Sequence, residues 1–444
     1  MILVSAFGLN YSGLLVDKTS VKALQSPTVH KETITLSTIL TDLSQKGRWE
    51  KLIGNALDEL RKRHPEEIIN VKYGEFLTND TKRIITKAIE NGTNIDLVSV
   101  DQIWLGDLAE KGYLTDLTGY AQNWGRLSDW YQANLDGMIY KKKIYGIWAW
   151  TDIRGIWYWK DLLYKAGVNP DSLKTWHGYI AAATKLNSML PNIGIKGAIL
   201  HDTYYSQDLW YPYLWMLGGN ILKQNSGHPT KGIYWFPEYN STYGIEALDF
   251  IRNQINAGIA VEKFHGVSLD KEFVDRKFAV MLGGSWIPGR FPQQDWSSLS
   301  QKLGFIPMFP VPHLGNQTST MMGGWELSIP KTSQHKDLAW ELITLILNPH
   351  ILGPWLERYG YLPTQIPIGQ GTMLNATASK YPYYNVMISM LPFGKSRPSI
   401  PDYPSIEQDI RQALQDVYHK IKQPKQALQD SAKRSAESLG WIKH

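Results

Sequence analysis

The chain contains no cysteine. That removes disulfides, thiolate metal ligands and a cysteine nucleophile from consideration. No stretch approaches the roughly eighteen uninterrupted apolar residues that a membrane-spanning helix needs. Excess charge of one sign is also missing: 46 Lys and Arg stand against 41 Asp and Glu, scattered apart from Lys141-Lys142-Lys143. A net charge of +5 spread this way leaves no basic stripe for a nucleic acid. The 11 His are dispersed, and no serine elbow, His-rich metal set or phosphate-cradling loop occurs. The residues therefore call for no cofactor and no metal. Internal repeats and low-complexity tracts are absent as well.

What the chain has in quantity is aromatic surface, with 18 Trp and 24 Tyr. Indole N–H and phenol O–H groups need partners when buried, so an excess of them suggests that some line a site. The 43% apolar and 20% charged fractions are those of a soluble globular protein, and 444 residues exceed what one core usually serves, so two domains are expected. Residues 1–30 read as a targeting and tether segment. Met1 to Val16 is apolar but broken by Gly8, Asn10, Ser12 and Gly13, and Asp17 to Lys31 is polar with one Pro. Six Asn-x-Ser/Thr sequons, the first at Asn10 and the last at Asn375, lend weak support to export.

Periodicity gives alternating strands and helices. Thr33 to Leu40, Ile68 to Tyr73 and Ile95 to Val100 read as strands. Arg48 to Arg63, Thr81 to Glu90 and Trp104 to Lys111 read as the helices between and after them. This order describes a parallel α/β sheet, whose ligands sit beyond the carboxyl ends of the strands. Further helices are expected over Thr175 to Leu190, Thr242 to Ala257, Lys336 to Asn348 and Ser405 to Ile421, and another begins at Pro424. Residues 361–404, rich in Pro, Tyr and Gly, read as surface connection.

Gly146 to Lys160 packs five rings, Asp152 and Arg154 into fifteen residues. Its alternation reads as a strand, with Trp148, Trp150, Asp152 and Arg154 on one face. A ring beside a carboxylate and a guanidinium suits a sugar, which has apolar C–H faces and a belt of hydroxyls. Asp152 and Arg154 either pair with each other or grip one pyranose. Asp101, at the end of its strand, either accepts sugar hydroxyls or caps the helix that follows. Trp104 either reaches the sugar or fills core, whereas Trp157 and Trp159 read as core. Trp286 follows Gly283-Gly284, which lets the backbone bring the indole into a cleft. Glu75 is a rim candidate, as are Ser44, Gln45, Trp210 and Tyr211, with Lys46 or Arg48 as further contributors from the loop 41–48.

The order of these landmarks resembles the family 1 extracellular solute-binding proteins of carbohydrate ABC importers. The resemblance runs through Val98 to Leu117, Ile144 to Gly167, Trp215 to Leu222 (Trp-x-x-Gly-Gly), Gly323 to Trp340, Gly360-Tyr361-Leu362-Pro363 and Pro424 to Leu428. Gly323-Gly324-Trp325 and Arg397-Pro398 look most like the trehalose/maltose-binding subgroup. The resemblance implies an α/β, two-lobed periplasmic-binding-protein-like (type II) fold with discontinuous lobes and a multi-strand hinge. One lobe would comprise 31–148 plus 325–358, the other 149–324 plus 359–444. It also implies a ligand set of Asp101, Trp104, Trp150, Asp152, Trp286, Gly324, Trp325, Glu326, Arg397 and Glu75. The implied ligand is a di- or oligosaccharide, and the implied partner is the membrane permease of an ABC transporter. The protein would act as a monomer outside the cytoplasm, at the cell surface or in the periplasm, tethered by its N-terminus. Two alternatives stand beside this reading: a glycoside hydrolase, which would place two carboxyls about 5–9 Å apart, and a binder of a different polar solute.

Overall fold

The computed structural model describes residues 31–41, 47–193, 196–199, 201–202, 206–228, 232–258, 262–263, 269–291, 296–308, 318–371 and 381–440. The expected tether, and Ser44, Gln45 and Lys46 of the first loop, lie outside them. Among the described residues no helix is long and apolar enough to cross a membrane.

Strand β1 (Glu32–Thr41) leads through helix α1 (Arg48–Arg63) to β2 (Glu67–Lys72) and β3 (Glu75–Phe76), then through α2 (Thr78–Glu90) to β4 (Leu97–Asp101) and α3 (Gln102–Glu110). β1 is parallel to both β2 and β4, with Ile34 opposite Ile69 and Ile39 opposite Val98. Parallel strands need long crossovers and cover on both faces. Accordingly α1 buries Trp49, Leu52, Ile53, Ala56, Leu57 and Leu60 as one stripe and leaves its charged side to water. After α4 (Gln132–Gly137) come β5 (Ile147–Asp152), β6 (Arg154–Trp159), β7 (Lys196–Ile199) and α5 (Ser206–Met216). They are followed by β8 (Phe278–Gly284), β9 (Leu303–Ile306), β10 (Thr320–Met321) and β11 (Gly323–Ser328). The chain closes with α6 (Lys336–Ile346), α7 (Pro349–Tyr359), β12 (Leu362–Pro363), α8 (Pro382–Met390), β13 (Gly394–Lys395), α9 (Tyr403–Tyr418) and α10 (Pro424–Ser438).

Two sheets carry the two lobes. The first runs β12-β5-β11-β4-β1-β2, with β3 added on β1, and the second runs β9-β6-β8-β7. The chain changes sheet at Ile153: Asp152 still pairs with Gly323 in the first sheet, while Arg154 pairs with Gly284 in the second. Residues 149–152 and 362–363 thus lie in the first sheet. A strand that leaves one sheet for another strands its backbone groups, and here hydroxyls satisfy them. Ser285 Oγ accepts from Ile153 N at 3.2 Å, and Thr320 Oγ1 accepts from Arg154 N at 2.8 Å and donates to Arg154 O at 2.9 Å. Met322 joins β10 to β11 in a second change-over, its N–H donating to Lys395 O at 2.9 Å.

The alternation of Gly146 to Lys160 does not survive as one face. The register slips between Trp325 and Glu326, so that Trp325 pairs with Trp150 but Glu326 pairs with Trp148. Ala149 is the extra residue of a β-bulge. A one-residue slip reverses every side chain beyond it. Trp150 and Trp325 therefore point to one side of the sheet, Trp148 and Glu326 to the other. Trp157 and Trp159 are fully buried in the second lobe, their indole N–H groups donating to Gly284 O at 2.8 Å and Phe273 O at 3.0 Å.

The stretch 361–404 is a correction to the sequence reading. Rather than surface connection, it supplies edge strand β12, which pairs with β5, and helix α8, which buries Tyr383, Tyr384 and Met387. Its prolines are compatible with this because Pro363 sits on an edge strand and Pro382 in the first turn of a helix, where no N–H partner is lost. Further on, Arg397 and Ile400 are buried.

Candidate functional site

Beyond the carboxyl ends of β1 and β4, between the lobes, lies a cavity of about 160 Å³. The first lobe lines it with Arg48, Thr78, Trp150, Asp152, Trp325 and Tyr361, the second with Ser285, Trp286, Gly289 and Arg290. Trp150 is held as a wall: its ring centroid lies 4.8 Å from Trp49, 5.1 Å from Trp355 and 5.8 Å from Tyr361, and only 2% of the residue is exposed. Trp325 stands beside it, half-buried, with Trp104 edge-on behind it at 5.5 Å and 77°. Trp104 is thus a buttress for Trp325 and does not border the cavity.

Trp286 approaches from the second lobe. A Cβ on Gly284 would collide with its ring, which explains why a glycine precedes it. The indole Nε1 donates to Asp270 Oδ2 at 2.8 Å, and the Arg154 guanidinium lies over the ring at 4.6 Å from its centroid. Asp152 closes β5 and is ion-paired with Arg154, whose Nη2 also donates to Asp208 Oδ2 at 2.6 Å. Burial works against the Arg154 charge, but Asp152 and Asp208 outweigh it and raise its pKa, so Arg154 stays a cation. The bridge expected as one alternative at Asp152 and Arg154 is therefore present, and Asp152, with its side chain 23% exposed, still borders the cavity.

Three aromatic walls, a carboxylate and guanidinium groups facing one another across a crevice suit a polar solute with apolar faces. A sequence profile for bacterial extracellular solute-binding proteins matches residues 44–350. The chain belongs to this family. A putative binding protein of Brucella abortus is 24% identical over 368 residues, covering 79% of this chain and 81% of its own. Among solved structures, an ABC transporter solute-binding protein from Thermotoga lettingae, bound with α-D-tagatose, superposes with a TM-score of 0.73 at 22% identity. It covers 92% of this chain and 100% of its own. Maltose-bound MalE3 of T. maritima gives 0.72 at 18% identity, covering 91% and 99%. The two-lobed α/β fold of this solute-binding protein is therefore that of periplasmic sugar-binding proteins.

Of the ten sequence candidates, four border the cavity of the solute-binding protein: Trp150, Asp152, Trp286 and Trp325. Asp101 takes the second of the two roles weighed for it, the helix cap, and does not border the cavity. Its Oδ1 caps α3 by accepting from Ile103 N at 3.2 Å, and the side chain remains 20% exposed. Burial raises its pKa, against the pull of Arg397 and the Ile103 N–H. Arg397 is buried, with Nη2 3.3 Å from Asp101 and Nη1 3.3 Å from Glu407, and so ties the 391–402 segment to the first lobe. Gln102 strengthens that tie by donating to Arg397 O at 2.7 Å and Ser399 Oγ at 2.5 Å.

Gly324 has φ +143°, and a Cβ there would strike Trp150 O and Trp148 Nε1, so its glycine serves the bulge. Glu326 is fully buried on the face away from the cavity, and neither carboxylate oxygen has a hydrogen-bond partner among the described residues. Burial, with Asp101 nearby, pushes its pKa well above the carboxylate range. Glu75 is half-buried on β3, opposite Leu40, off the cavity. Arg48, named from sequence only as an alternative contributor, lines the cavity as the first residue of α1. Tyr361, Thr78, Ser285 and Arg290 line it without having been singled out. Tyr361 had a usable signal, since it follows the left-handed Gly360 that ends α7. Arg290, after a Pro-Gly turn, had none.

Proposed function

We propose that this protein captures a sugar in the interlobe cleft and hands it to the membrane permease of an ABC importer. The supporting observation is the pairing of Trp150 and Trp325 on one lobe with Trp286 on the other, across a cavity that also holds Asp152 and Arg48. Rings on both sides stack on the C–H faces of a pyranose while Asp152 accepts from its hydroxyls. A ligand that touches both lobes binds the closed arrangement better than the open one, and so draws the lobes together about the change-overs at Ile153 and Met322. The reading places the protein outside the cytoplasm, tethered by its N-terminal segment and acting as a monomer.

The ligand proposed is a di- or oligosaccharide of the maltose or trehalose kind. The cavity is smaller than the roughly 300–1,000 Å³ usual for small-molecule sites, so such a ligand requires the lobes to part further. That volume also favours a second reading, a monosaccharide. A thermal-shift panel of mono-, di- and trisaccharides separates the two, because a ligand at a hundred times its Kd stabilises by about 2.7 kcal/mol. Binding without turnover is expected, and release of glucose from maltose during incubation would overturn the binder reading.

A further inference from the structure

Three buried or nearly buried guanidiniums surround the cleft, and they are not treated alike. Arg154 has Asp152 and Asp208, and Arg397 has Asp101 and Glu407. Arg48 is 3% exposed and has no carboxylate within ion-pair distance among the described residues. Its Nη1 donates to the Tyr361 hydroxyl at 2.5 Å, and its guanidinium lies 4.7 Å from the Tyr359 ring centroid and 5.5 Å from that of Tyr361. Among the described residues its Nε and Nη2 have no hydrogen-bond partner, and both are closed off from solvent in this arrangement of the lobes. Those two nitrogens form one edge of the fork, the edge that presents two parallel N–H groups to a planar anion.

The charges around the cavity point the same way. Arg290 is matched by Asp270 at 3.1 Å, and Asp152 is matched by Arg154. Arg48 is left over. A lone charge taken out of water is costly, and ring faces offset only part of that. The head of Arg48 also reaches the second lobe: a Cβ on Gly289 would stand 4.0 Å from both Nη1 and Nη2. We infer that the sugar taken by this cleft carries one anionic group, a carboxylate or a phosphate ester, which pairs with the Nε–Nη2 edge of Arg48 once the lobes part and uncover it. The inference rests on the sugar-binding reading above and narrows it to acidic saccharides.

The test is isothermal titration of the full chain with matched sugars at low and high salt. The neutral arm is glucose, galactose and maltose; the acidic arm is glucuronate, galacturonate, digalacturonate and glucose 6-phosphate. The expected result is that an acidic sugar binds at least tenfold tighter than its neutral parent. Uronates and glucose 6-phosphate report separately on carboxylate and phosphate. The preference should shrink as salt rises. In Arg48→Met the acidic-to-neutral ratio should fall tenfold or more, with Arg48→Lys between the two. Neutral sugars that bind as tightly as their acidic counterparts overturn the inference and leave the sugar-binding reading standing. A preference that survives in Arg48→Met overturns the role of Arg48. If no sugar of either arm binds, the sugar-binding reading fails and the inference with it. The comparison of the two arms on the unaltered chain decides the matter even if the variants do not fold.

Discussion

The two faces of the β5–β11 ladder carry the same kinds of residue and put them to different ends. On the cleft face, Trp150 and Trp325 flank a cavity with Asp152 at its edge. On the opposite face, Trp148 and Glu326 are completely buried, and Trp148 Nε1 and both Glu326 oxygens lack hydrogen-bond partners among the described residues. One extra residue, Ala149, decides which tryptophan faces which way. A binding surface and a hinge interior can thus be written in one strand, separated by a bulge rather than by composition.

The comparison can be broken most forcefully at Arg154, which holds the end of the cleft face. Arg154→Ala removes one partner of a buried ionic cluster and should cost about 3–5 kcal/mol of stability, read from the midpoint of denaturant unfolding. A loss under about 1 kcal/mol would mean that the cluster is screened by water and does not hold the change-over.

The hidden face is probed by pH. Glu326 has a raised folded pKa, so the folded protein holds a proton that the unfolded chain releases above about pH 4.3. Stability from this group is full below that pH and is lost as pH rises toward the folded pKa, by about 1.4 kcal/mol per unit. Asp101 and Glu407, also raised by burial, tilt the curve in the same direction. The informative quantity is therefore the difference between the unaltered chain and Glu326→Gln. The variant should gain on the parent as pH rises above the unfolded value and level off once pH passes the folded pKa. Parallel curves would show that Glu326 is ionised in the folded protein.

On the cleft face, Trp325→Ala should weaken sugar binding by about 1–3 kcal/mol, as loss of ring stacking does elsewhere. Its effect on melting should be smaller, because Trp325 is only half-buried. Trp104→Ala should act on the same binding more weakly, through the ring that it supports edge-on. Equal effects of the two would erase the distinction between wall and buttress.

Much of this was legible in the chain itself. Periodicity located the strand–helix alternation from β1 to α3, since amphipathic helices and β-branched strands differ plainly in period. The paired glycines before Trp286 mark a local need for space, since a Cβ on Gly284 would collide with the ring that borders the cavity. The bulge at Ala149 leaves no mark in the sequence, because alanine fits a regular strand as well as a bulge, and so the alternation alone puts Trp148 and Trp150 on one face. The 361–404 stretch misled because Pro and Tyr signal turns locally, while burial of Tyr384, Arg397 and Ile400 depends on what packs over them. The setting of Arg48 is a long-range property: its ring neighbours Tyr359 and Tyr361 lie some three hundred residues away, so no local pattern announces it.

The most direct test of the central claim is sugar binding by the full chain with simultaneous small-angle scattering. The account predicts a saturable ligand among the mono-, di- and trisaccharides and a smaller radius of gyration at saturation. Saturable binding with an unchanged radius would contradict lobe closure, and no binding across the whole sugar panel would contradict the function itself.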